Sequence, residues 1–229
     1  MKIPALILAV ALAIGNLHAA PYQLLSMGSI MEQQGGQHSV NIGVYAQAIE
    51  RLIPHAADYP TRFDNDADRA QAIKDVQFLG ALADAFGENA VAQKDLALLK
   101  LNAQIYWIGH NLDQAGFAAK ADTTFADWLE LAEEKDKAEV MEYYGRFLAS
   151  SAQGERAEPL LRSAYQAGRK ESALPLAMLL LSRGDKDAAL QYLREYAQSF
   201  PEDSRAQDFV EAVEKGNFEV KKAEVKPQQ

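Results

Sequence analysis

One phased pattern of small residues recurs four times along this chain, and it restricts the fold more than any other feature. The anchors are Gly80, Gly109, Gly145 and Ala177. Three residues beyond them stand Ala83, Leu112, Leu148 and Leu180. Twelve beyond stands an alanine every time, Ala92, Ala121, Ala157 and Ala189. Sixteen beyond comes a large apolar residue, Leu96, Phe125, Leu161 or Leu193. A small residue lets a second helix approach its backbone closely. A pattern of this length therefore predicts a pair of antiparallel helices, repeated along the chain.

The hydrophobic period agrees. From residue 42, Val44, Ala48, Leu52 and Ala56 share one helical face, and Tyr59-Pro60 is the expected stop. Asp64-Asn65-Asp66-Ala67-Asp68 opens the next helix, with Gly87 and Asn89 as its turn and residues 90–101 as the return helix. Residues 105–112, 118–132, 140–148, 155–167, 173–182 and 187–200 continue the alternation. Ser204 with Gln207 reads as a capping box for a last helix, which Gly216 ends. No period-two strand pattern stands out after residue 42, so the expected fold class is all-α.

The first residues carry an address. Lys2 precedes an apolar run over residues 3–14, and Leu17-His18-Ala19-Ala20 is a small-residue exit. This predicts a signal peptide over residues 1–19, cleaved after Ala19. A dozen apolar residues are too few for a membrane span, which needs about 20. The chain has no cysteine, which fits the bacterial periplasm better than a disulfide-rich exterior, with secretion as the second choice. Lys and Arg number 23 against 32 Asp and Glu, a net charge of −9. Nucleic acid is not an expected partner. The expected domains are an arm over residues 20–40 with a flexible loop at residues 33–37, a helical-repeat domain over 41–216, and a loose tail over 217–229.

The repeated phase resembles the tetratricopeptide-repeat (TPR) family and its Sel1-like relatives. The best matching unit runs Ile108-Gly109, Leu112, Gly116, Ala121, Phe125, and the last runs Leu176-Ala177, Leu180, Gly184, Ala189, Leu193, Pro201. The middle unit has Tyr144-Gly145, Leu148, Ala157 and Leu161, with Ala152 in place of the turn glycine. The resemblance implies an α-solenoid of stacked antiparallel helix pairs, a TPR-like right-handed superhelix closed by a C-terminal capping helix. It also implies a concave groove lined by the first helix of each unit. Carried over, the groove positions are Lys74, Gln77, Tyr106, His110, Asp113, Gln114, Glu139, Glu142 and Arg146. In the last unit they are Leu174, Met178 and Leu181, which implies an apolar, covered end.

Catalytic patterns are missing from the sequence: no His-Glu-x-x-His, Gly-x-Ser-x-Gly, Ser-x-x-Lys or phosphate-cradling glycine loop occurs. Asp64, Asp66, Asp68 and Asp75 imitate a calcium loop, but Arg69 stands where its glycine belongs. A helix start that gathers aspartates explains them better. No metal or cofactor is expected. The resemblance implies a non-catalytic periplasmic scaffold or adaptor that binds another envelope protein or peptide. The alternatives are an all-α cell-wall-acting enzyme, or a small-ligand or calcium binder using residues 64–75.

Overall fold

The computed structural model describes residues 6–11, 21–22, 30–34, 37–217 and 219–224. They belong to two compact units, one of Asn16–Leu131 and one of Ala132–Gln229 with Met1–Gly15. Short strands come first, β1 (Leu6–Ala11), β2 (Met31–Gln34) and β3 (Gln37–Val40). The first unit then holds α1 (Ile42–Ala56), α2 (Asp66–Ala92), α3 (Leu96–Asn111) and α4 (Phe117–Leu131). The second holds α5 (Lys137–Ser150), α6 (Gly154–Gln166), α7 (Ala173–Ser182), α8 (Lys186–Ser199), α9 (Ser204–Glu214) and strand β4 (Glu219–Glu224). From residue 42 to 216 every regular element is helical; α2 packs on α3 and α3 on α4 in the first unit, and each of α5 to α8 packs on the next helix in the second.

In the first unit α1 buries Tyr45, Ala48, Ile49, Leu52 and Ala56 as one stripe and rests on α3. The aspartate-rich start of α2 behaves as a cap: the Asn65 side chain accepts from the Asp68 amide at 2.9 Å, and Asp66 and Asp68 occupy the first turn. Phe117, the first residue of α4, explains two of the small anchors. A Cβ on Gly109 would lie 2.0 Å from its ring and one on Gly80 2.7 Å. Both α2 and α3 are therefore notched to receive the same side chain.

The expected first helix pair is a correction. Gly87 and Asn89 make no turn; α2 runs straight through them to Ala92. The chain turns at residues 93–95, where Lys94 takes φ 54 and the Asp95 side chain caps α3. Glycine inside a helix costs only about 1 kcal/mol, which the buried contacts of α2 outweigh. In consequence the predicted helices 90–101 and 105–112 give way to the single α3, and Ala92 is exposed. Its counterparts Ala121, Ala157 and Ala189 are fully buried.

The other three units fold as the pattern predicts, each as two helices joined by a short turn and packed together: α3 with α4, α5 with α6, α7 with α8. Seven residues past the anchor the backbone is left-handed each time, at Gly116 (φ 80), Ala152 (φ 60) and Gly184 (φ 82). In the second unit a Cβ on Gly145 would sit 2.6 Å from Leu161 of α6. The apolar end expected at Leu174, Met178 and Leu181 is covered: they join a cluster with Ala189, Leu193 and, from α9, Val210 and Val213. Asp203, not Ser204, caps α9, its carboxylate accepting from the Arg205 amide at 3.2 Å.

Strands appear where the sequence promised loops. Met31 pairs with Val40 and Gln34 with Gln37, leaving two residues between β2 and β3, so a hairpin replaces the expected loop at residues 33–37. The stretch is polar, and its strand signal was the Gly35-Gly36 pair between two short runs. In the second unit Leu6–Ala11 pairs antiparallel with Glu219–Glu224. Part of the expected leader thus meets part of the expected tail, while the leader exit at residues 17–20 lies outside the described residues.

Candidate interaction surface

The polar residues picked out on α2 and α3 form a seam between those helices. Gln77 Nε2 donates to Gln114 Oε1 at 2.8 Å, Arg69 bonds Asp113 at 2.8 Å, and Tyr106 Oη donates to Asp84 Oδ1 at 2.8 Å. As the α2 partner moves down the sequence from 84 to 77 to 69, the α3-side partner moves up from 106 to 114 and 113. That inverse order shows that the two helices run antiparallel. Lys74 and Gln77, three residues apart on α2, are both exposed. Asp113, at φ 62, and Gln114 follow the end of α3, where the Gln114 amide also donates to Leu112 O at 2.8 Å. The seam accordingly gathers Gln77, Asp113 and Gln114, with Lys74 exposed three residues before Gln77 on α2, and adds Arg69, which sequence reasoning passed over.

Tyr106 sits deeper than its assigned role requires. It is 5 % exposed, edge-on to Phe117, and its hydroxyl is taken by Asp84. Burial first, then Asp84, pushes its phenol well above the usual tyrosine range. Lys120 of α4 bonds Asp84 at 2.7 Å and lies 5.6 Å from the centres of both the Tyr106 and Phe117 rings. Asp84 and Lys120 went unnoticed because each pairs across helices, which no spacing rule within one helix displays. His110 is half-buried; burial lowers its pKa, with Asp113 opposing the shift.

In the second unit Glu139, Glu142 and Arg146 share one face of α5. Glu142 is 1 % exposed. Its Oε2 accepts from Arg169 Nε at 2.7 Å, and its Oε1 lies 3.5 Å from Arg146. Arg169 also lies 3.8 Å from Glu171. Burial opposes the charge on Arg169, yet Glu142, Glu171 and Glu139 together hold its pKa above the ordinary guanidinium value. This is an ion-paired lock joining α5 to the turn before α7. With guanidinium groups on both oxygens, Glu142 lacks the free carboxyl that an acid catalyst would present. Arg169 was the missing member; it lies in a link, outside the repeat phase.

The acidic stretch at residues 64–75 is divided in the same way. Asp75 is 1 % exposed, and its carboxylate accepts from Tyr22 Oη at 2.7 Å and Gln71 Nε2 at 2.8 Å. The residue that would close a calcium loop is therefore engaged by the arm and by its own helix. Tyr22 further packs edge-on against His55 and Phe63, which stack on each other at 5.2 Å. Thus the arm is anchored through at least this one side chain.

Two units that are helical from residue 42 to 216, each with polar side-chain ties between its helices, define a helix-packed protein whose distinctive chemistry lies on its helix faces. Comparison with protein-family models, with curated proteins and with solved structures finds no match to this chain.

Proposed function

We propose that the chain is a non-catalytic scaffold of the bacterial envelope, built as a TPR-like α-solenoid and exported by its leader-like first residues. It binds another envelope protein or peptide through the polar faces of its repeat helices. The supporting observation is the α2–α3 seam: Lys74, Gln77, Asp113 and Gln114 stand on or beside two helices locked together by Phe117. Such a row presents donors and acceptors with little ordering cost on binding. The three hairpins that keep one phase are the second support, since stacked hairpins make extended surfaces rather than deep reaction centres. Fold class alone does not assign function.

The test begins with a partner identified by copurification from native envelopes. Binding is then measured for the chain and for a Lys74→Glu, Gln114→Ala variant. The expected outcome is a loss of at least about tenfold in affinity, since central contacts each contribute more than ~1 kcal/mol. Unchanged affinity with an unchanged melting temperature would remove the seam from the binding surface. N-terminal sequencing of the exported protein should begin at Ala20.

A further inference from the structure

We propose that His55, Phe63 and Asp75 form a binding socket for one phenol, and that the chain's own Tyr22 is its resident ligand, a latch that straps the arm onto α1 and α2. The Tyr22 ring is buried, while Pro21 beside it is exposed. The ring meets His55 edge-on at 5.4 Å and Phe63 edge-on at 6.1 Å between centres. Its hydroxyl donates at 2.7 Å to Oδ2 of Asp75, a buried carboxylate. Two aromatic walls thus hold the ring, and one acceptor reads the hydroxyl.

Each wall is held by contacts that leave Tyr22 out, which separates a socket from ordinary packing. His55, on α1, is clasped twice by Arg62: its Nδ1 donates to Arg62 O at 3.1 Å, and its own carbonyl accepts from the Arg62 amide at 2.7 Å. That clasp folds back the link after α1 and brings the next residue, Phe63, onto the His55 ring at 5.2 Å, with the two planes 15° apart. On α2, Gln71 Nε2 donates to Asp75 Oδ1 at 2.8 Å from one turn away, leaving Oδ2 for the phenol. The site therefore stays formed when the arm leaves. A buried carboxylate that has lost a donor is costly, so the emptied socket favours a ring bearing a hydroxyl over a bare ring. Burial first, then Asp75, raises the Tyr22 pKa well above the usual tyrosine range, with Arg51 opposing, so the occupant is a neutral phenol. Tethered to the chain, Tyr22 competes at an effective concentration on the order of millimolar, which keeps free phenols out until the arm is drawn away. The assignment does not depend on the scaffold reading.

The experiment uses the full chain, a Tyr22→Ala variant and two probes: p-cresol, which is the tyrosine side chain itself, and toluene, the same outline without the hydroxyl. Binding is read from the melting temperature and from intermolecular NOEs between the probe ring and His55 and Phe63. The variant is expected to take up p-cresol with a rise in melting temperature. Toluene should bind it at least about tenfold more weakly, the worth of a hydrogen bond to a charged acceptor. The unaltered chain, its socket filled, should bind p-cresol at least about tenfold more weakly than the variant does. Should Tyr22→Ala fail to melt cooperatively, Tyr22→Phe carries the test, since it keeps the ring and loses the hydroxyl. Chymotrypsin should then cut after residue 22 at least about tenfold faster than in the unaltered chain. The proposal is overturned if p-cresol at millimolar concentration leaves a cooperatively melting Tyr22→Ala chain unbound, or if toluene binds that chain as well. It is equally overturned if the unaltered chain binds p-cresol as tightly as the variant, or if Tyr22→Phe is cut no faster.

Discussion

Tyr106 in the first unit and Glu142 in the second stand at the same place in the repeat, three residues before the anchor glycine. Their fates are closely parallel: 5 % and 1 % exposed, each polar group met by a partner from beyond its own helix, Asp84 in one case and Arg169 in the other. Gln77 holds the matching position before Gly80 and is exposed. The difference follows from hairpin membership. In α3 and α5 the residue lies in the first helix of a hairpin, and a neighbouring element covers it. Helix α2 instead overruns its expected turn, so its copy of the position stays on the surface. The position is therefore interior in α3 and α5, where polar residues serve as cross-helix ties, while its copy in α7, Leu174, is half-buried. Binding groups must be sought beside it.

The sharpest way to break the comparison is at the anchors. Gly109→Ala would set a Cβ 2.0 Å from the Phe117 ring, which is enclosed by two helices. The expected loss is about 3 kcal/mol by urea denaturation, from overpacking. A Gly109→Ala, Phe117→Leu double variant should recover part of it. Gly145→Ala, whose Cβ would meet Leu161 Cγ at 2.6 Å on an aliphatic side chain rather than a ring, should lose less. Equal losses at the two sites would show that ring rigidity is irrelevant.

Next in size are the ties themselves. Glu142→Ala takes from Arg169 and Arg146 the buried carboxylate they share, leaving Glu171 at 3.8 Å as the nearer counter-charge of Arg169. Because Arg169 is 35 % exposed and can turn to water, the expected loss is about 2 kcal/mol, below that of a fully enclosed pair. Tyr106→Phe removes one bond to the half-exposed Asp84 and should cost about 1 kcal/mol. A larger effect at Tyr106 than at Glu142, read from the same denaturation curves, would reverse the ranking.

Much of this was legible in the sequence. Helical period, the buried alanines of three hairpins and the left-handed turns at Gly116 and Gly184 follow from residue types alone, since each depends on neighbours near in the chain. The first unit was misread because Gly87 and Asn89 look like a turn, whereas the true turn uses Lys94, a residue with no turn signature. The polar hairpin β2–β3 lacks the apolar alternation that betrays strands. Depth was the other blind spot. Spacing puts Tyr106 and Glu142 on one helix face but does not say what covers it, and their partners Asp84 and Arg169 come from other segments.

Smaller effects refine the picture. Ala152 occupies the left-handed turn position that Gly116 and Gly184 fill in the neighbouring hairpins. Ala152→Gly should relieve that strain and raise stability by about 0.5–1 kcal/mol, the greater freedom of the unfolded glycine chain offsetting part of the gain. The melting temperature would fall instead if the turn carried no strain. Last comes His110. Burial lowers its pKa in the folded chain, so the unfolded chain binds the proton more readily below about pH 6.5. Stability should fall as the pH drops through that region, and His110→Gln should flatten the melting temperature measured between about pH 7.5 and pH 5.

One aromatic ring seated in notches of two helices has a kinetic consequence. Sliding α2 along α3 by a single turn would require Phe117 to leave both notches at once, so slippage and unfolding become the same event. Backbone amides flanking Gly80 and Gly109 should then trade their hydrogens with deuterated solvent at one shared, slowest rate, set by the opening of the whole unit rather than by local breathing.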